Sequence, residues 1–105
     1  MTIISHGQTL SVSGVAELGA ANSRSFQTAL RAALPDGVKQ IEIDLSQTGF
    51  VDCGGVGALV ALRNAVCGAT DEVTIRLLNP TQPVQRIFSL TRMQNLFRIE
   101  NENKP

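Results

Sequence analysis

Apolar and polar residues change rhythm several times along this 105-residue chain, and each rhythm predicts an element. Ile3-Ile4 and Leu10-x-Val12 flank His6-Gly7-Gln8, and residues 10–13 alternate with period two. Residues 2–13 are therefore predicted to form a β-hairpin. Gly14 to Ala21 reads as a loop, and Asn22 is placed to cap a helix with its side-chain oxygen. Phe26, Ala29, Leu30, Ala33 and Leu34 then follow the i, i+3, i+4, i+7, i+8 stripe of an amphipathic helix. Pro35-Asp36-Gly37 ends it, because the residue before a proline is pushed out of the α region. Val38 to Leu45 is predicted as a strand, with Ile41, Ile43 and Leu45 on one face and Glu42 and Asp44 on the other.

Asp44 to Val66 is the most specialised stretch. A loop carries Phe50 and Val51, both read as inward anchors, and Asp52 precedes Cys53-Gly54-Gly55-Val56-Gly57. A helix is predicted from Gly54 or Gly55 to about Ala69, closed by Gly68. Val56, Leu59, Val60, Leu62 and Val66 cover more than one of its faces, so it should be the most buried helix. Val73, Ile75 and Leu77 alternate as the next strand. Asn79-Pro80 turns the chain, Thr81 caps a third helix, and Pro83 sits where first-turn amides lack an intrahelical acceptor. Val84, Ile87 and Phe88 are its buried stripe. Leu96 to Ile99 is predicted as a short last strand, and 101–105 as a frayed polar end. The order β-β-α-β-α-β-α-β implies crossovers beside an antiparallel hairpin. An α/β fold follows, with residues 1–105 as a single domain and helices packed on a mixed β-sheet.

Composition narrows the chemistry. Hydrophobic residues make up 43 % and charged residues 17 %, with a formal net charge of zero. That balance excludes nonspecific nucleic-acid binding, which needs clustered Lys and Arg. No apolar run approaches the roughly 20 residues that cross a bilayer, and the start lacks a signal-peptide pattern; the expectation is a cytoplasmic protein with no direct membrane insertion. Cys53 and Cys67, on one helix, would stand about 21 Å apart at ~1.5 Å per residue, too far for a disulfide. With His6 as the lone histidine, no metal set can be assembled, and neither can a nucleophile–base pair or a dinucleotide fingerprint. No cofactor and no catalytic residue is expected.

Ile41-Glu42-Ile43-Asp44-Leu45-Ser46, Phe50-Val51-Asp52 and Gly55-Val56-Gly57 carry a family likeness, as does Val84-Gln85-Arg86-Ile87-Phe88-Ser89-Leu90-Thr91 with Leu96-Phe97. The chain resembles STAS domains, specifically the bacterial anti-sigma factor antagonists (anti-anti-sigma factors). That resemblance implies a non-enzymatic module in a partner-switching pathway. Such a module binds the ATPase-like domain of an anti-sigma factor, a GHKL-type serine kinase, and so regulates transcription. The kinase phosphorylates a serine at the start of the central helix. Here that position is Gly54, without a hydroxyl, and the thiol of neighbouring Cys53 is no equivalent acceptor. A Gly54→Ser change is then expected to restore a site. The resemblance implies a partner-binding surface of Asp52, Cys53, Gly54, Gly55, Gly57 and Ala58, with Glu17 and Asn22 from the 14–22 loop beside it. Glu17 is the nearest acidic counterpart of the family's loop aspartate. Asp52-Cys53-Gly54-Gly55 also resembles the STAS accessory subunit of Mla-type lipid-transport ABC complexes, whose partner is the transporter ATPase. Oligomeric state is left open.

Several of these residues have two readings. Asp52 is an N-cap, a partner contact, or both. The three glycines either let the helix pack closely on its own sheet or leave a bare helix end for a partner. Cys53 is read as a small, partly buried filler against the alternative of a redox-sensitive thiol, and Cys67 as core. Arg63 and Asn64 are partner contacts or solvated. His6, Arg86 and Arg92 are read as surface residues.

Overall fold

The computed structural model describes residues 1–34, 37–66, the backbone of 67, and 73–101. Pro35 and Asp36 of the expected turn, the side chain of Cys67, the helix end at Gly68 and Ala69, and residues 102–105 lie outside the described residues. The elements are β1 (Thr2–His6), β2 (Thr9–Ser13), β3 (Glu17–Leu18), α1 (Ser23–Ala33), β4 (Gln40–Asp44), β5 (Phe50–Val51), α2 (Cys53–Cys67), β6 (Thr74–Leu78), α3 (Gln82–Leu90), a 3-10 turn (Met93–Asn95) and β7 (Arg98–Glu100). The expected hairpin, three helices and two alternating strands are all present. The last strand begins at Arg98 rather than Leu96, because the 3-10 turn occupies the chain just before it.

Five strands form one mixed sheet in the order β1-β2-β4-β6-β7. β1 pairs antiparallel with β2; β2, β4, β6 and β7 run parallel. The three crossovers all step in the same direction across the sheet. Right-handed connections therefore put α1, α2 and α3 on one face. The register explains the core: Leu10, Ile41 and Ile75 lie side by side, as do Val12, Ile43 and Leu77, and all are buried against Phe26, Leu30, Leu59, Leu62, Val84 and Phe88.

α2 has the most buried positions of the described helices, as its all-round apolar pattern predicts: Gly55, Ala58, Leu59 and Leu62. No described helix is long and apolar enough to cross a membrane.

The other sheet face is polar. Across it Ser11, Glu42, Arg76 and Arg98 align. Arg76 reaches Glu100 through two hydrogen bonds of 2.8 Å and pairs with Glu42 on its other side, tying β4, β6 and β7 together. Those bonds hold the Glu100 carboxyl below the usual carboxylate range.

Two expected caps act differently from the prediction. Asn22 and Thr81 both occupy N-cap positions, but neither caps its helix through the side chain. Thr81 Oγ1 instead donates to the Thr48 carbonyl at 2.7 Å. Thr48 is the only buried polar side chain among the described residues. Its hydroxyl donates to the Val15 carbonyl, and its N–H donates to the Leu45 carbonyl at 3.0 Å. It thus joins the 45–50 loop to α3 and to the 14–21 loop. Thr48→Val keeps the shape and strands the Val15 carbonyl. It is expected to cost about 1–3 kcal/mol in urea unfolding with an unchanged denaturant slope.

Candidate functional site

The 14–21 segment is more than a loop. Glu17 and Leu18 form β3, which pairs in parallel with β5: Glu17 opposite Phe50 and Leu18 opposite Val51. Gly49 N–H donates to the Ala16 carbonyl at 3.0 Å, and Asp52 N–H to the Leu18 carbonyl at 3.2 Å. This second small sheet sets the backbone of residues 18–20 directly on the start of α2.

Asp52 holds that contact from below. Its Oδ1 accepts from the Gly55 N–H at 3.1 Å, the N-cap bond of α2, and also from the Ala20 N–H at 3.1 Å. The helix therefore starts at Cys53, earlier than the glycines suggested. Backbone donors around the carboxylate, Gly55 first, then Ala20 and Gly54, outweigh desolvation and lower the Asp52 pKa. Asn22 works on the loop rather than on α1. Its Oδ1 accepts from Gly19 N–H at 2.8 Å and its Nδ2 donates to the Glu17 carbonyl at 2.8 Å.

The glycines have separate jobs. A Cβ on Gly55 would lie 2.0 Å from the Leu18 carbonyl oxygen, and one on Gly54 would lie 2.5 Å from Ala20 Cα. A Cβ on Gly19 would lie 2.8 Å from Asp52 Oδ2. Gly57 has open space around it. Close internal packing thus accounts for Gly54 and Gly55, and only Gly57 fits the reading of a bare helix surface. Gly54→Ser gains no free hydroxyl site as the structure stands, because Ala20 fills the volume.

Burial sorts the expected surface. Gly55 is buried and Ala58 is only 1 % exposed, so both lie beneath the surface, out of a partner's reach. Glu17, Cys53 and Gly57 are exposed, and Asp52, Gly54 and Asn22 half-buried. Cys53 is not a partly buried filler: as the first residue of α2 it points outward as a free thiol. Phe50 also overturns its expected role. Val51 is buried, so its neighbour on an extended strand must face the other way, and Phe50 is 53 % exposed. β5 is only two residues long, so no periodic pattern in the sequence marked the outward turn of Phe50. Arg63 is engaged within the fold, its Nε donating to the Leu96 carbonyl at 3.0 Å, while Asn64, His6, Arg86 and Arg92 are exposed. No cluster of potential metal ligands occurs among the described residues.

A family profile described as "Mlab, STAS domain" matches residues 2–98, and the chain belongs to the STAS domain family. Solved structures share the fold. The crystal structure of TM1081 from Thermotoga maritima, an inferred anti-sigma factor antagonist, aligns with a TM-score of 0.84 at 18 % identity, over 97 % of this chain and 86 % of that one. The NMR structure of TM1081 gives 0.76 at 20 % identity, over 94 % and 78 %. The anti-sigma factor antagonist SpoIIAA in its unphosphorylated form gives 0.78 at 17 % identity, over 96 % and 88 %. No curated protein sequence matches the chain significantly.

Gly55→Ala forces a Cβ against backbone and is expected to destabilise by at least about 1–3 kcal/mol. Gly57→Ala is expected to stabilise by up to about 1 kcal/mol, since it only removes a helix penalty; chemical unfolding of the pair separates the two roles. Asp52 gives a pH signature. Its folded-state pKa is depressed, so its contribution is present above the ordinary value of 3.8 and is lost as pH falls through the folded value. Asp52→Ala is therefore expected to lower the unfolding midpoint at neutral pH, with the gap to the parent closing below about pH 3.8.

Proposed function

We propose that this chain is a non-enzymatic, cytoplasmic protein-binding module of the anti-sigma factor antagonist type that works without a phosphoserine switch. One observation carries the reading: the side-chain space at position 54 is occupied by the Ala20 backbone, with its N and Cα at 2.6 and 2.5 Å from where a Cβ would stand. A phosphorylatable side chain there needs the loop to move, so the helix start keeps one surface. Phe50, Cys53 and Gly57 offer an apolar patch and Glu17 the acidic rim, all exposed. Exposed aromatic anchors beside open backbone are what a docking partner exploits. The partner in this reading is the ATPase-like domain of a GHKL-type serine kinase that acts as an anti-sigma factor.

A second reading has one specific support, the description of the matching family profile as "Mlab". The same switch-less face would then dock constitutively on the ATPase of a lipid-transport ABC complex. Co-purification from the native host distinguishes the two: a GHKL-type kinase supports the first and an ABC ATPase the second. With its cognate kinase and ATP the chain is expected to stay unphosphorylated; phosphate at Ser46, Thr48 or elsewhere before α2 would sink the switch-less claim. Phe50→Ala is expected to weaken partner binding by at least about tenfold while leaving the unfolding midpoint unchanged, and an unaffected affinity would remove Phe50 from the interface.

A further inference from the structure

The sheet edge at β1 has a definite chemistry that the helix start does not use. Gly7 has φ +62°, as the first central position of a type II′ hairpin turn requires. His6 lies opposite Thr9 across the Gly7-Gln8 loop. Such a loop makes its flanking pair a hydrogen-bonded one, and bonded pairs alternate along an antiparallel ladder. Ile4 and Thr2 therefore bond to Ser11 and Ser13, as His6 does to Thr9. The N–H and C=O groups of Ile3 and Ser5 point away from β2, toward the outer edge, where no described strand pairs with β1.

Open edges are normally guarded by charge, proline or a bulge. The opposite edge obeys this: β7 is short, and both its ends, Arg98 and Glu100, are charged. β1, Thr-Ile-Ile-Ser-His, has neither an acidic residue, a lysine or arginine, nor a proline. It also places Ile4, 57 % exposed, on the polar face of the sheet between Thr2 and His6 and beside Ser11.

We propose that β1 pairs antiparallel with β1 of a second copy, about a two-fold axis at Ile4, so that the two sheets become one. The backbone sets the register. Ile3 of one copy lies opposite Ser5 of the other, and every outward N–H meets an outward C=O. Ile4 meets Ile4 of the second copy in a non-hydrogen-bonded pair, where side chains approach most closely. The contact is self-complementary, as a two-fold demands. A foreign strand satisfies the same backbone groups; a second copy also supplies the apolar mate for Ile4, and a net charge of zero leaves no long-range repulsion between copies.

Sedimentation equilibrium over a concentration series is expected to show a weak, reversible dimer, because the strand pair buries little area. Ser5→Pro deletes an outward N–H without touching the β1–β2 ladder, which an edge strand tolerates; it is expected to give a folded monomer. Ile4→Cys in a Cys53→Ser background is expected to cross-link under mild oxidation, since opposed Cα atoms of such a pair are about 4.5 Å apart, within disulfide reach. Ser5→Cys, whose counterpart lies diagonally, is expected to cross-link at least about tenfold more slowly, and peptide mapping identifies each bridge. A parent protein that stays monomeric at every concentration, a dimer that survives Ser5→Pro, or equal cross-linking at positions 4 and 5 overturns the proposal.

Discussion

Much of this molecule depends on one contact, the backbone of Leu18 to Ala20 lying on the glycine start of α2. It exists only because two successive helical positions have no side chain, leaving a Cβ on Gly55 just 2.0 Å from the Leu18 oxygen. Asp52 makes it directional by accepting from Ala20 on one side and Gly55 on the other. The carboxylate thus caps a helix and pins a loop with the same oxygen. Beside it β3 pairs with β5, setting the buried Leu18 opposite the buried Val51 and the exposed Glu17 opposite the exposed Phe50.

The elements with a long period were legible in the sequence. α1 announced itself by its five-residue stripe, β4 and β6 by alternation, and α2 by apolar residues all round it. What stayed hidden was short or shared. β3 and β5 span only two residues each, too few for a periodic signal, so the 14–21 segment read as a plain loop and Phe50 as an anchor. Asn22 and Thr81 stand at helix starts, yet their side chains bond to Glu17, Gly19 and Thr48 instead. Asn22 bonds to backbone three and five residues before it, a local turn in place of a cap, and Thr81 to a carbonyl 33 residues away, which no local pattern contains. The glycine run was visible, but its two meanings were not separable, because steric need depends on what the fold brings opposite.

The one-sided sheet explains the division of labour. With every crossover on the same face, the helices bury that face and the other keeps its polar row, tied by Arg76 to Glu42 and Glu100. Apolar exposure is then confined to a few places, with Phe50 beside the α2 start and Ile4 at the sheet edge among the larger ones. They lie on different parts of the fold: Phe50 belongs to the small sheet that supports the helix start, Ile4 to the outer strand of the main one. A copy paired at its edge would still expose Phe50, Cys53 and Gly57.

The glycine at position 54 lacks both the Cβ and the hydroxyl that a serine would carry. The packing argues for more than that. Ala20 occupies the space where a side chain would stand, and Asp52, Asn22 and the β3–β5 pair all hold the loop there. A switch at this position needs a side chain that reaches solvent and can gain a phosphate's roughly −1.5 to −2 charges. Supplying the serine alone provides the chemistry without the room. Opening that room would break the Ala20 bond to Asp52 and loosen the acceptor that also caps α2. Loop and helix start are thus one packed unit, and the room at position 54 is set by that packing, not by the residue at position 54 alone.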